Sequence, residues 1–137
     1  MGRKKIEDLE VSKQKMRELK EYCKQYKSWV QALEDINYIQ RSGMSFAKIK
    51  SSAIANPTAD IAEIKDLLIK NIYVVEKSAV LTDPDVGGLI FLAVTEGWGY
   101  DRLNKEKKIP VSKPTYYRLY RRFFWILDKS RKLQMLQ

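Results

Sequence analysis

From Leu9 to Arg41 the chain has neither glycine nor proline, and its apolar residues return mostly in steps of three and four: Leu9, Met16, Leu19, Cys23, Tyr26, Val30 and Leu33. Nothing else in the sequence narrows the fold as much. Only an α-helix gathers positions spaced this way onto one side. The spacing predicts one long helix over 9–41, with Trp29, Ile36 and Ile39 widening its apolar stripe. Two uses fit such a stripe. It packs within its own domain, or it forms a coiled-coil arm, for which the heptad pattern lasts about three and a half repeats, with Ser12 and Asn37 interrupting it.

A connector rich in serine follows over 42–56, "SGMSFAKIKSSAIAN". Asn56 or Thr58 is placed to cap the next helix, with Pro57 in its first turn, where a missing N–H costs nothing. Ile61, Ile64, Leu68, Ile72, Val75 and Ala79 give that helix an apolar stripe to about Leu81. Two long amphipathic helices joined this way predict an antiparallel hairpin over 1–81. A hairpin alone is thin, so this segment is expected to self-associate into a homo-oligomer.

Shorter elements follow. Asp83 reads as an N-cap with Pro84 as first helical residue, and Gly97 as the C-cap of the apolar helix "DVGGLIFLAVTE". "YDRLNKEK" reads as a short helix. Ser112 then caps a helix running from Lys113 to about Lys132, with Pro114 in its first turn. Ile109 and Val111 plug the turn before it, which Pro110 stiffens. The expected architecture is all-α: a long N-terminal helical hairpin over 1–81 and a C-terminal helix-turn-helix over 82–137.

Charge separates the two segments. The chain's formal net charge is +9, from 26 Lys and Arg against 17 Asp and Glu. Residues 97–137 hold 11 of those cations but 3 of the acids, so they account for +8 of the total. A solvated helix face normally mixes its signs, as the first segment does. A one-signed segment fits a polyanion, above all a phosphate backbone. The same segment holds 8 of the chain's 15 aromatic residues.

Several classes are set aside on composition. The chain has no histidine, which removes Ser-His and Cys-His nucleophile pairs and every His-containing zinc site. Cys23 is the only cysteine, so no internal disulfide is possible. There is no glycine-rich phosphate loop and no paired-carboxylate motif. The expectation is a protein that is not an enzyme and needs no cofactor or metal. The opening "MGRKKIEDLE" lacks the apolar core of a secretion signal, Ile6 stands where a myristoylation signal wants Ser or Thr, and no apolar run approaches ~18 residues. A cytoplasmic protein with no membrane partner is expected.

The stretch "IPVSKPTYYRLYRR" carries the functional reading. Tyr116, Tyr120, Phe123 and Leu127 follow each other at helical steps and turn inward, onto the helix of Leu89, Phe91, Leu92 and Val94. Lys113, Thr115, Tyr117, Arg118, Arg121 and Arg122 are left on the other face. Helix, short helix, turn and capped basic helix is the arrangement of a helix-turn-helix reader of duplex DNA. Lys113, Thr115, Tyr117 and Arg118, in the first two turns, are expected to meet base edges. Arg121 and Arg122 are expected to hold phosphates.

"LIFLAVTEGWGYDRL" and "IPVSKPTYYRLYRRFFWILDKSR" together resemble the C-terminal module of the RinA/ArpU group of phage late-gene transcription regulators, a module that itself looks like region 4 of primary bacterial sigma factors. Gly99, Tyr100, Leu103, Ser112 and Thr115 fill the pattern, and Arg118 begins the basic run. The resemblance covers 84–132, and more weakly 9–81, where "NPTAD" opens the second long helix. Two features depart from the pattern. The turn between Tyr100 and Ser112 is longer, and Asn104 stands where a small apolar residue is expected. The resemblance implies a phage or prophage transcription regulator, an activator of late genes that works with host RNA polymerase.

Two other classes fit parts of the pattern. A small terminase subunit, which recognises phage DNA for packaging, also joins a helix-turn-helix to an oligomerising helical hairpin. An adapter would set the basic helix against an acidic surface of RNA polymerase and not against DNA.

Overall fold

The computed structural model describes residues 10–43 and 60–136. Among them are six helices and no strand: α1 (Lys13–Lys24), α2 (Tyr26–Ser42), α3 (Ile61–Thr82), α4 (Gly87–Glu96), α5 (Tyr100–Lys107) and α6 (Lys113–Met135). The all-α class read from the sequence is the one observed. The expected caps at Asn56 or Thr58 lie outside the described residues. No helix among those described is long and apolar enough to cross a membrane.

The long helix expected over 9–41 is bent into two segments, α1 and α2. Ser12 does not interrupt the first; it begins it, its hydroxyl accepting from the Lys15 N–H at 3.1 Å. The break comes at Gln25, whose N–H donates to the Tyr22 carbonyl three residues back at 3.2 Å, tightening the last turn. Tyr26 then opens α2. Its hydroxyl donates to Glu76 at 2.7 Å, and its ring meets Phe91 edge-on with centroids 4.9 Å apart. No glycine or proline marks the break, and Gln25 itself keeps helical backbone angles, so the expected helix is present with a bend at this residue.

The chain divides into two compact units, one made of 1–26 and 74–137, the other of 27–73. These differ from the segments 1–81 and 82–137 read from the pattern. Helix α1 and the last turns of α3 belong with the C-terminal helices. In this first unit α1 packs on α4 and α6, and α4 packs on α5 and α6. Leu19 and Cys23 of α1, Val75 of α3, Ile90 of α4, Leu103 of α5, and Phe123, Phe124 and Leu127 of α6 are wholly buried. Leu19 is therefore a core residue of this unit. Its place in the three-four pattern reports burial within the chain, the first of the two uses that the spacing allows.

Polar links hold the same joint. Asp128, buried on α6, pairs with Lys15 of α1 at 3.6 Å and with Lys132 at 3.2 Å. Arg131 pairs with Glu18 at 3.3 Å, and its guanidinium lies over the Tyr22 ring, 3.9 Å from the centroid.

Helix α4 begins at Gly87, later than Asp83 and Pro84 suggest. Asp83 still caps, but it caps a turn: its carboxylate accepts from the Asp85 and Val86 N–H groups, each at 2.8 Å. Gly87 then lies so close to the Ala79 carbonyl of α3 that a Cβ there would overlap it. Glycine is required at that crossing for its size and not its backbone freedom. Gly97 ends α4 as expected, in the left-handed region at φ 78°, its N–H donating to the Ala93 carbonyl.

In the second unit Trp29, Ile36 and Ile61 are buried, and Lys65 of α3 donates to Gln40 of α2 at 3.2 Å.

Candidate nucleic-acid interface

The candidate interface is built on α5, the turn 108–112, and the first half of α6. Leu103 of α5 is wholly buried, and Ile109 of the turn is nearly so, which fixes both helices to the core. Asn104 holds the turn between them. Its backbone carbonyl accepts from the Lys108 N–H at 3.1 Å, and its side-chain oxygen accepts from the Ile109 N–H at 3.2 Å. A small apolar residue at this position has no oxygen to offer Ile109. The Asn104 side chain thus ties the turn to α5, and within the turn Lys108 takes a positive φ of 57°.

Ser112 starts α6 as the sequence suggests. Its hydroxyl oxygen accepts from the Thr115 N–H at 3.4 Å and lies 3.0 Å from Thr115 Oγ1. Arg118 donates to that same Thr115 oxygen at 3.1 Å. Ser112, Thr115 and Arg118 form a hydrogen-bonded string along the opening turns. Arg118 is half-buried and aimed by this string.

The inward face matches the helical spacing. Tyr116, Phe123 and Leu127 are buried and Tyr120 is half-buried, while Leu119 and Phe124 join them. Burial pushes the Tyr116 and Tyr120 hydroxyls above the ordinary tyrosine range, so both are neutral at physiological pH.

The outward face is less uniform than expected. Lys113 and Arg121 are exposed, and Thr115, Arg118 and Arg122 are half-buried. Arg122 Nε is buried without a hydrogen-bond partner, so only the end of that side chain can reach a phosphate. Tyr117 is exposed, but its ring is not isolated: it stacks on Tyr100 of α5 with centroids 6.0 Å apart. The Lys113 ammonium lies 5.2 Å from the centre of the same Tyr100 ring. Four of the six candidates fall into two groups, and Arg121 and Arg122 stand apart from both. Lys113 and Tyr117 gather around Tyr100, and Thr115 and Arg118 share the string from Ser112, with Arg122 one turn further on.

Sequence reasoning missed three participants. Tyr100 supports Lys113 and Tyr117. Arg102, near the start of α5, stacks over Trp98 at 3.8 Å and pairs with Glu106 at 3.7 Å. Lys20 of α1 lies 5.9 Å from the centre of the Tyr120 ring and lines, with Tyr100, Tyr117 and Tyr120, an open cleft of about 330 Å³. The aromatic content of this segment was a usable signal for Tyr100, but nothing local signals Lys20.

From Lys107 to Leu127 the chain carries Lys107, Lys108, Lys113, Arg118, Arg121 and Arg122 and no acid. A run of one sign favours an anionic partner. Among the described residues no group of three or more Cys, Asp or Glu could hold a metal ion, and burial pushes the Cys23 thiol up to about 12, which makes it a poor nucleophile.

No protein-family model, no curated protein and no solved structure matches the chain.

Proposed function

We propose that the protein is a sequence-specific, duplex-DNA-binding transcription regulator of phage or prophage origin, an activator of late genes of the kind its C-terminal half resembles. One observation carries this reading. The Ser112-capped start of α6 presents Lys113, Thr115, Tyr117 and Arg118 on a helix that is free of acids for its first fifteen residues. An α-helix fits the major groove, its first turns meet base edges, and cations further along lie near phosphates. The Ser112–Thr115–Arg118 string favours Arg118 as the reader of a guanine edge, since a pre-aimed guanidinium loses less freedom on binding.

Homo-oligomerisation, expected of the N-terminal segment, falls on residues 27–73 in this reading. Tyr38, Leu67, Ile69 and Tyr73 are exposed there and supply an apolar surface. The protein acts in the cytoplasm, with host RNA polymerase as a further partner at the promoter.

Selection of duplexes from a randomised pool, followed by footprinting on the chosen sequence, tests the function. A defined footprint that lies upstream of a transcribed operon is expected. Failure to enrich any sequence removes the regulator reading. The mass in solution separates the packaging alternative, because a dimer fits a regulator and a large ring fits a small terminase subunit.

A further inference from the structure

Helix α1 carries a basic strip of its own. Lys13, Arg17 and Lys20 are exposed and, at steps of four and three, share one side of the helix. Its acids are engaged with other cations: Glu18 pairs with Lys15 and Arg131, and Glu21, one turn on from Arg17 at the edge of the strip, pairs with Lys24. Among the described residues no acid forms an ion pair with Lys13, Arg17 or Lys20. Leu19 and Cys23, on the adjoining side, are wholly buried, so the strip is fixed to the unit that contains α6 and does not swing freely.

The strip leads into the candidate interface. Lys20 closes a shallow groove formed with Val11, Lys13, Met16 and Arg17. The same lysine lies over Tyr120 and borders the cleft of Tyr100 and Tyr117, and the Tyr100 ring in turn lies beside Lys113. The cations therefore continue from α1, across the tyrosines, to the start of α6.

We infer that Lys13, Arg17 and Lys20 form a second phosphate-binding strip, which holds the backbone of the same duplex that α6 reads. This rests on the DNA-binding reading above and adds to it a surface on α1. From Lys13 to Lys20 the helix rises about 10 Å, a length that faces roughly three phosphates of one strand. The strip has no hydrogen-bonded aim comparable to that of Arg118, so it contributes affinity and position and not sequence preference.

The test compares three full-length proteins on a selected duplex and on a scrambled one, across a series of salt concentrations. They are the wild type, K13A/R17A/K20A, and the charge-matched control K65A/K70A/K77A on α3. The altered side chains are exposed except that of Lys65, which is half-buried and donates to Gln40, so circular dichroism and thermal melting check that each variant is folded. The α1 variant is expected to lower the log–log salt slope by about two to three units, at about 0.9 per lost contact. Its ratio of affinities for the two duplexes stays at the wild-type value, and the control keeps the wild-type slope. If the α1 variant keeps the wild-type slope, or if the control loses as much, the strip is not a phosphate contact. If the wild type itself binds no duplex, the DNA reading falls and the strip falls with it.

Discussion

The two ends of helix α6 treat their cations in opposite ways. Near its C-terminus, Lys132 is answered by Asp128 and Arg131 by Glu18 and the Tyr22 ring, so positive charge is spent joining α6 to α1. Over its first fifteen residues there is no acid, and Lys113 and Arg121 stand exposed. One helix thus serves as a strut at one end and, in the function proposed above, as a binding surface at the other. Charge alone does not mark the difference, since both ends are basic. The distinguishing feature is the acid that the helix itself carries: Asp128 stands beside Lys132, whereas residues 113–127 include none.

The comparison breaks most severely if the strut is removed. Leu19→Ala opens a cavity where α1 meets α4 and α6 and should cost about 2–5 kcal/mol in denaturant unfolding. An effect under about half a kcal/mol would mean that α1 is not part of this core. Gly87→Ala should cost about 1–3 kcal/mol, because the added methyl meets the Ala79 carbonyl.

Alkaline titration examines the same core. Burial raises the Cys23 thiol and the Tyr22, Tyr116 and Tyr120 hydroxyls, and burial with the Glu76 hydrogen bond raises Tyr26 to about 12. In each case the folded state holds its proton more tightly than the unfolded chain does. Their contribution to stability is therefore complete below the ordinary range of these groups and is lost as pH rises from about 9 toward 12. Unfolding free energy that stays level across that range would show that these groups are not buried.

At the binding end the expected effects are smaller and of a different kind. Arg118→Ala should remove roughly 1–3 kcal/mol of discrimination between a selected and a scrambled duplex. Arg122→Ala should weaken both duplexes alike and reduce the salt slope by at most about one unit, its Nε being already buried. Equal loss on both duplexes from Arg118→Ala would move the reading face elsewhere.

Much of this fold is legible in the sequence, and the exceptions share a cause. Periodicity identifies the helices, and Ser112 and Gly97 set ends where local chemistry decides them. The bend at Gln25 has no glycine or proline to signal it, and the contacts of Tyr26 beside it are with Glu76 and Phe91, distant in the chain. An apolar stripe such as that of Leu19 and Cys23 says that a face is buried but not against what. For the same reason, the capped basic helix could be read directly, whereas Lys20 enters the candidate site only once α1 is docked. The burial of Arg122 Nε is likewise set by packing and not by its place in the helical order.

Exchanging cations at each end of α6 tests the central claim most directly. Duplex binding across salt concentrations and thermal melting are measured for R118A/R121A and for R131A/K132A. The first variant should reduce the salt slope by about one unit, for the phosphate contact of Arg121, and lose discrimination with Arg118, while melting near the wild-type temperature. The second should melt lower and keep the wild-type slope. Equal slopes for both variants and the wild type, or a larger loss of slope in R131A/K132A, would contradict the assignment of the first half of α6 to DNA.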